Sequence, residues 1–234
     1  MNIKEQQYFY GISMHKFRAG NAFAKYRKIL RDVYDGNLKK DFYFENKYLA
    51  TEDLRPEVYK YDDSVIGALI ESGIHQKMID LFGYELFLCH VQMRIAYNEN
   101  DFSYMPWHRD TYLYEDEKVI GPIPPMKKVI YYPKFDDLEN NCLMFALGSH
   151  LNAKHIKEED LSQLNNCSIM KIKNSVDEYL ILNTEALHHA VPPENERQMR
   201  VVYSFCPIGQ LDHHGNLDLH NEYTKRLNEN LHSE

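Results

Sequence analysis

The sequence predicts a mainly β protein, a sandwich or barrel of short strands with helices packed on its flank. Two helical patterns come first, within residues 21–35 and 63–82. From residue 85 onward, short strand-like runs alternate with turn residues, and this spacing is typical of sandwiches and barrels. No linker divides the two parts, so we expect one domain in which helices decorate a β core.

The helical part contains an amphipathic segment, "NAFAKYRKILRDVYD", at residues 21–35. Its apolar residues recur about every 3.6 positions, which places them on one face of a helix. Asn21 is suited to cap its amino end, and Gly36 is suited to end it. The second segment is expected to form one helix, or two short helices broken near Gly73, and to end at Gly83.

The β part opens with a long strand, "ELFLCHVQMRIAY", at residues 85–97. Side chains alternate between the two faces of a strand, so Gln92 and Arg94 share one face while Met93 and Ile95 share the other. Five further strand-like runs follow, and these are "KKVIYYP", "NCLMFAL", "SIMKIK", "EYLILN" and "MRVVYSFCP".

We therefore expect a single domain, residues 1–234, with three parts. Residues 1–84 are the mainly helical amino-terminal part, residues 85–210 form the jelly-roll core, and residues 211–234 form a polar carboxy-terminal tail. This tail contains His213 and His214, but a polar terminal segment is typically solvated, so we do not assign them to a metal site.

Composition excludes several classes of protein. The chain has 27 Lys and Arg against 35 Asp and Glu, and the net charge of −8 disfavours nucleic acid as a partner. No two of the four cysteines have the spacing of a zinc or thioredoxin motif. No apolar run has signal-peptide character or approaches the length of a membrane span, so we expect a cytoplasmic protein without membrane contact.

The segment "MPWHRDTY" contains the first part of a candidate metal site. On an extended chain, the spacing of His108 and Asp110 places both side chains on one face, where they can bind one ion. A second imidazole is available at "LHHAVPP", from His188 or His189. Two imidazoles and one carboxylate are the ligands of the facial triad that binds Fe(II) and leaves coordination positions open.

A basic residue follows the histidine pair and suggests a second ligand. Arg200 begins a strand-like run, whereas Arg197 lies in a polar loop, so Arg200 is better placed to point inward. A guanidinium binds a carboxylate through two parallel hydrogen bonds. We therefore expect a dicarboxylate cosubstrate at the iron.

Three motifs together resemble the phytanoyl-CoA dioxygenase-like family of Fe(II)/2-oxoglutarate-dependent oxygenases, over about residues 63–206. "WHRD" resembles the W-H-x-D block of that family, and "ENNCLMFALGSHL" resembles its E-N-G-C-L-x-x-x-P-G-S-H signature. "LHHAVPPENERQMR" resembles its block containing the distal histidine and the arginine. Gly148 is suited to the turn in the second motif, and we expect His150 to brace that turn without binding metal.

The resemblance implies a double-stranded β-helix, which is a cupin-like jelly roll, and a non-haem dioxygenase. Such an enzyme hydroxylates or otherwise oxidises a small molecule with Fe(II), 2-oxoglutarate and O2, and it releases succinate and CO2. The implied ligands are His108, Asp110 and His189, with Arg200 on 2-oxoglutarate. His189 is preferred to His188 because "HAVPP" resembles the family's exit from this strand and because Arg200 then lies at the usual separation.

Other positions depart from the family or remain open. Val191 stands where the family often has a serine or threonine that helps to hold the cosubstrate, so Tyr131, or else Tyr132, is a candidate to supply that hydroxyl. Gln92, Arg94 and Trp107 are candidate substrate-binding residues.

Two other functions are compatible with parts of the pattern. One is a cupin-like metal protein that isomerises or binds a small molecule without 2-oxoglutarate, and it would need no inward arginine. The other is a jelly-roll binding module without catalytic activity, and it would not need all three metal ligands.

Overall fold

The computed structural model covers most of the β part and much of the helical part. It describes residues 1–37, 43–46, 51–54, 68, 71–83, 86–98, 107–110, 112–115, 118–122, 127–153, 161–207 and 228–229. His213 and His214 lie outside these residues.

Three α-helices have described bounds: α1 Ile3–Tyr10, α2 Asn21–Tyr34 and α3 Ile74–Phe82. Helix α1 begins with a capping box, in which Asn2 and Glu5 each accept a hydrogen bond from the other's backbone N–H. Helix α2 has the expected length, but its N-cap is Gly20, and Asn21 is its first helical residue.

The predicted helix boundaries near glycines are confirmed. Gly36 has a φ of +73° just beyond α2, and Gly73 has a φ of +60° at the residue before α3. Gly83, with a φ of +74°, closes α3 through a hydrogen bond from its N–H to the carbonyl of Ile79.

The strands agree with the predicted runs and add several short ones. They are β1 Ile12–Lys16, β2 Tyr43–Asn46, β3 Thr51–Leu54, β4 Leu86–Tyr97, β5 Tyr112–Glu115, β6 Lys118–Pro122, β7 Lys127–Tyr131, β8 Asn141–Ala146, β9 Ile169–Lys173, β10 Glu178–Asn183, β11 His188–Ala190 and β12 Arg197–Pro207.

The strands form the two sheets of a jelly roll with flanking helices, as the sequence predicts. The major sheet has the order β1-β10-β7-β12-β4-β3-β2, and the minor sheet has the order β11-β8-β9. Strands β5 and β6 pair as a separate hairpin. Residues 1–84 contribute three strands to the major sheet as well as the helices, so this part is not only helical decoration.

Two hydrophobic clusters lie on opposite faces of the major sheet. The outer cluster packs α2 and α3 against the sheet, and Tyr26, Tyr131 and Tyr203 are fully buried there. The inner cluster lies between the two sheets and includes Ile130 and Phe145. Residues that alternate along β7 and β12 therefore belong to different clusters, and only those on the inner face can line a site between the sheets.

The predicted tail makes at least one specific contact. The side-chain amide of Asn228 donates to the carbonyl of Leu88 (2.8 Å), and its oxygen accepts from the N–H of the same residue (2.9 Å). In the part of the chain that the structure describes, no helix is both long and apolar enough to cross a membrane.

A buried polar network joins α1 to the edge of the major sheet. The amide of Gln7 donates to the hydroxyl of Ser13 (2.7 Å), which lies 2.8 Å from Nε2 of His15. The His15 ring stacks on Tyr179. Burial of the imidazole, assisted by the positive charge of Lys77, lowers the pKa of His15 to about 4.

We expect this histidine to make the protein sensitive to acid. Between the usual histidine pKa of about 6.5 and the folded-state pKa, the unfolded chain binds a proton that the folded chain does not. The free energy of unfolding is therefore unaffected by this group above pH 6.5 and decreases as the pH falls toward 4. At pH 4.5 the decrease from His15 alone is about 2 kcal/mol. Urea unfolding at pH 7.5 and 4.5 measures the loss.

The variant His15→Gln is the control, since glutamine can still accept the Ser13 hydrogen bond but does not titrate. Its loss of stability between the two pH values should be smaller than that of the parent by about 2 kcal/mol. An equal loss in both proteins would contradict the assignment.

Candidate metal centre

A pair of backbone hydrogen bonds brings the two halves of the predicted site together. His108 and His188 form an isolated antiparallel bridge, and each N–H donates to the other's carbonyl at 3.0 Å. The N–H of Asp110 donates to the carbonyl of Thr184, also at 3.0 Å. The HxD segment is thereby fixed against β11 and the turn that precedes it.

This bridge places three potential metal ligands in one cluster. The ligand atoms of His108, Asp110 and His188 all lie within 4.8 Å of one another. Nε2 of His188 is 3.3 Å from Oδ2 of Asp110, and Nε2 of His108 is 3.7 Å from Oδ1. The His188 side chain is buried, and the other two are partly buried. Two imidazoles and one carboxylate at these separations fit Fe(II).

The distal histidine of this cluster is His188, so the preference for His189 is corrected. Strand β11 pairs with β8, and His188 lies opposite Phe145, a residue of the inner cluster. His189 lies opposite Met144 on the other face, where its ring stacks on Trp107 at 5.8 Å between ring centroids. Because side chains alternate along a strand, only one of two adjacent histidines can point between the sheets.

The His188 imidazole is oriented to bind through Nε2. Its Nδ1 lies 2.9 Å from the carbonyl oxygen of Ala186. A carbonyl only accepts hydrogen bonds, so Nδ1 carries a proton, and Nε2 is the nitrogen left available to a metal ion. A backbone carbonyl commonly holds a metal-binding histidine in this way.

A lysine lies beside the carboxylate. Nζ of Lys128, on β7, is 2.6 Å from Oδ2 of Asp110. Burial alone would raise the pKa of Asp110, but the charge of Lys128 and the interactions with His188 and His108 outweigh it, so this pKa lies well below its usual value. Asp110 is therefore an anionic acceptor at neutral pH.

The sequence motifs do not predict a role for Arg109, yet its side chain holds together the segments that carry the cluster. Its guanidinium donates to the carbonyls of Ser149 (2.9 Å) and Glu185 and to the side chain of Gln163 (2.9 Å). The Ser149 hydroxyl accepts from the N–H of Leu187, the residue before His188. The "GSH" turn and the turn before β11 are thus tied to the residue between the two HxD ligands. A single arginine in a motif gives no sequence signal for such a role.

His150 does not belong to the metal cluster, as expected. Its Nε2 donates to the carbonyl of Tyr8 at the end of α1, 2.9 Å away. Gly148 adopts a φ of +77°, as the turn requires, and its N–H donates to the carbonyl of Tyr10. The turn therefore anchors the amino-terminal helix.

Three of the predicted binding residues share the inner side of the major sheet. Arg200 lies opposite Arg94 in the pairing of β12 with β4, and its guanidinium is 3.4 Å from the side-chain oxygen of Gln92. Val202, which lies two residues further along β12 than Arg200, belongs to the inner cluster. Strand alternation therefore puts Arg200 on the same face as Lys128, which reaches Asp110.

The rival arginine makes contacts elsewhere. The guanidinium of Arg197 lies over the ring of Tyr34 at 4.3 Å and pairs with Asp35 at 3.9 Å, both near the end of α2. This contact lies on the helical side of the major sheet.

The structure places Tyr131 away from the cluster, so its assignment to the cosubstrate is corrected. The Tyr131 side chain is fully buried in the outer cluster, where its hydroxyl donates to the carbonyl of Val176 (2.5 Å) and accepts from Arg27 (2.7 Å). Tyr132, the alternative, belongs to the inner cluster. Tyr131 and Tyr132 are adjacent, as His188 and His189 are, so the two side chains of each pair point to opposite faces of the sheet.

Solved structures with the same fold identify the architecture, whereas no family model and no curated protein matches the sequence. SnoN, a non-haem α-ketoglutarate-dependent epimerase from nogalamycin biosynthesis, superposes with a TM-score of 0.63 at 10% identity, over 88% of this chain and 82% of SnoN. EctD from S. alaskensis, with 2-oxoglutarate and 5-hydroxyectoine, gives 0.59 at 13% identity, over 88% and 76%. HygX from Streptomyces hygroscopicus, with nickel, 2-oxoglutarate and hygromycin B bound, gives 0.55 at 14% identity, over 87% of both chains.

At these identities the likeness establishes the fold. It agrees with the resemblance found in the sequence motifs, and the ligand cluster lies where that resemblance predicts, apart from the one-residue shift to His188. The chain therefore has the jelly-roll fold found in the Fe(II)/2-oxoglutarate-dependent oxygenases, and His108, Asp110 and His188 form a cluster with the ligand types of a His–Asp–His facial triad.

Proposed function

We propose that the chain is a non-haem Fe(II)/2-oxoglutarate-dependent dioxygenase that hydroxylates or otherwise oxidises a small molecule and releases succinate and CO2. The observation that carries this proposal is the cluster of His108, Asp110 and His188 between the sheets of this fold. The pairing of one carboxylate with two imidazoles favours an oxygenase over an iron halogenase, which lacks the carboxylate ligand.

The protein's part in this chemistry is to bind and orient. Bound Fe(II) would supply the activation of O2, and His108, Asp110 and His188 are the residues that would hold it. The hydrogen bond from His188 to Ala186 fixes the ring that presents Nε2. The buried surroundings of the cluster limit the access of water.

Arg200 is the proposed partner of the cosubstrate carboxylate. It lies on the inner face of the major sheet and presents a guanidinium fork, which matches a carboxylate in geometry and charge. We propose that Gln92 and Arg94, its neighbours on that face, contribute to the same pocket or to the substrate.

The proposed substrate is a small molecule. SnoN and HygX support this, since they are solved with nogalamycin RO and hygromycin B respectively. The Trp107 ring stacks on His189, on the face of β11 that points away from the triad. A substrate that contacts Trp107 would therefore also lie on that face.

A cupin-like metal protein that does not use 2-oxoglutarate is the second candidate function. The inward position of Arg200 beside Gln92 disfavours it, because such a protein needs no cation for a dicarboxylate. The two functions differ in whether the Fe(II)-loaded protein binds 2-oxoglutarate.

The adjacent histidines His188 and His189 are expected to differ in their contribution to metal binding. His188→Ala should weaken Co(II) binding on the order of 100-fold or more, since loss even of an outer-sphere partner typically costs about 10- to 100-fold. His108→Ala and Asp110→Ala should behave alike. Equilibrium dialysis of each variant against Co(II) measures the affinity.

His189→Ala is the matched control, because it removes an imidazole one residue away on the other face of β11. It should retain Co(II) affinity within about threefold. Loss of binding in His189→Ala with retention in His188→Ala would reject the ligand set.

Arg200 is expected to control the affinity for the cosubstrate. Arg200→Ala should weaken 2-oxoglutarate binding by about 30-fold to several thousand-fold, because loss of a charged two-pronged pairing in a partly buried site costs about 2–5 kcal/mol. Arg200→Lys should recover only part of this, since an ammonium lacks the planar fork. The visible charge-transfer band of the anaerobic Fe(II) protein, titrated with 2-oxoglutarate, reports the binding.

Arg197→Ala is the control for charge, because this residue pairs with Asp35 on the other side of the sheet. It should leave the titration nearly unchanged. If Arg200→Ala binds 2-oxoglutarate like the parent, the assignment of the arginine fails. If the parent itself gives no band, the cupin-like function is favoured.

A further inference from the structure

The closest charged partner of the candidate metal ligand Asp110 is a lysine of the same chain. Lys128 approaches Oδ2 to 2.6 Å, and both side chains are only 20% exposed. Lys128 is the second residue of β7, and it is paired on both sides, opposite Leu182 of β10 and Ser204 of β12. Strands that are fixed on both sides hold the position from which its side chain extends.

Lys128 holds the oxygen that also lies nearest to the distal histidine. Oδ2 of Asp110 is 3.3 Å from Nε2 of His188, the shorter of the two contacts between the carboxylate and an imidazole. A metal ion bound to both atoms would need the electron pairs that now face Lys128. For an ion that takes Oδ2, the lysine and the cation are alternative partners of the same oxygen.

The charges around the cluster show what each partner contributes. Burial raises the pKa of Asp110, and the charge of Lys128 is the largest of the effects that lower it, ahead of those of His188 and His108. With neutral imidazoles, the carboxylate and the lysine cancel each other's charge. A divalent cation that enters this site therefore meets a neutral cluster, whereas without Lys128 it would meet a net charge of −1.

We propose that Lys128 is an internal cation that competes with the metal for Asp110 and thereby sets the metal affinity of the site. In the metal-free protein it neutralises the partly buried carboxylate and keeps the three ligands assembled. When metal binds, the lysine gives up Oδ2. The cluster thus tolerates loss of its metal without leaving a buried charge unpaired, and metal occupancy stays reversible. This inference rests on the proposed metal site.

A titration with Co(II) tests the competition, and the chain provides its own probe. Trp107 is the only tryptophan, and it directly precedes His108, so quenching of its fluorescence by Co(II) reports occupancy of this site. Lys128→Met removes the charge while keeping an unbranched side chain of similar length. We expect Lys128→Met to bind Co(II) about 10-fold more tightly than the parent.

Lys127→Met is the matched control, since it removes the same charge from the adjacent residue. Lys127 lies on the opposite face of β7, with its Nζ 4.3 Å from the centre of the Phe82 ring. Its variant should bind Co(II) within about twofold of the parent. An unchanged or weaker affinity in Lys128→Met, in a protein that unfolds at the parent's temperature, would show that Lys128 supports the site or is inert to it.

The parent protein offers an independent measurement that needs no folded variant. If metal displaces the lysine, Co(II) should raise the rate at which an amine-acylating reagent modifies Lys128 and should leave the rate at Lys127 unchanged, as read by peptide mass spectrometry. An equal Lys128 rate with and without Co(II) would overturn the competition.

These outcomes are distinct from failure of the proposed function. A parent protein that binds no Co(II) at all would reject the metal site, and the competition with it. A parent that binds Co(II) and 2-oxoglutarate, with no gain in Lys128→Met, would reject only the role of Lys128.

Discussion

The backbone bridge between His108 and His188 is the contact on which the rest of the site depends. It joins residues that are 80 positions apart through two reciprocal hydrogen bonds of 3.0 Å. Because bridged residues of antiparallel strands share a face, this pairing alone decides that the two imidazoles point to the same side. Asp110 then follows two residues later on the same side. The guanidinium of Arg109 reinforces the bridge by tying the turns that carry Ser149 and Glu185 to the HxD segment.

The surrounding strands hold both sides of the site in position. Strand β7 is paired on both sides within the major sheet, and β11 is held by β8 in the minor sheet, so the two faces of the site come from elements with little freedom. Ligands on paired strands need not be ordered when a metal or cosubstrate binds. This arrangement also places a carboxylate in a partly buried position, and Lys128 offsets its charge.

The sequence predicts the type of each element better than it predicts which face a residue occupies. Periodicity and turn residues were sufficient for α2, for the break at Gly73 and for the main strands, and three motifs were sufficient for the family resemblance. The two site residues that the structure places elsewhere, His189 and Tyr131, each belong to a doublet of like side chains whose members point to opposite faces. Strand β7 is buried on both faces, so its sequence lacks the alternation that would reveal register. The register of β11 is set by its pairing with β8, more than 40 residues away in the chain. Contacts such as those of Arg109 and Lys128 also depend on this long-range pairing. Helix α1 did carry a readable signal, since Asn2 and Glu5 have the spacing of a capping box.

Anomalous diffraction from crystals of the protein soaked with Co(II) would locate the metal ion directly, without reference to activity. We expect one strong peak between the sheets, in contact with Nε2 of His108, a carboxylate oxygen of Asp110 and Nε2 of His188, with the His189 ring still stacked on Trp107. A peak bound by His189, or the absence of any peak at the cluster in crystals that contain Co(II), would contradict it.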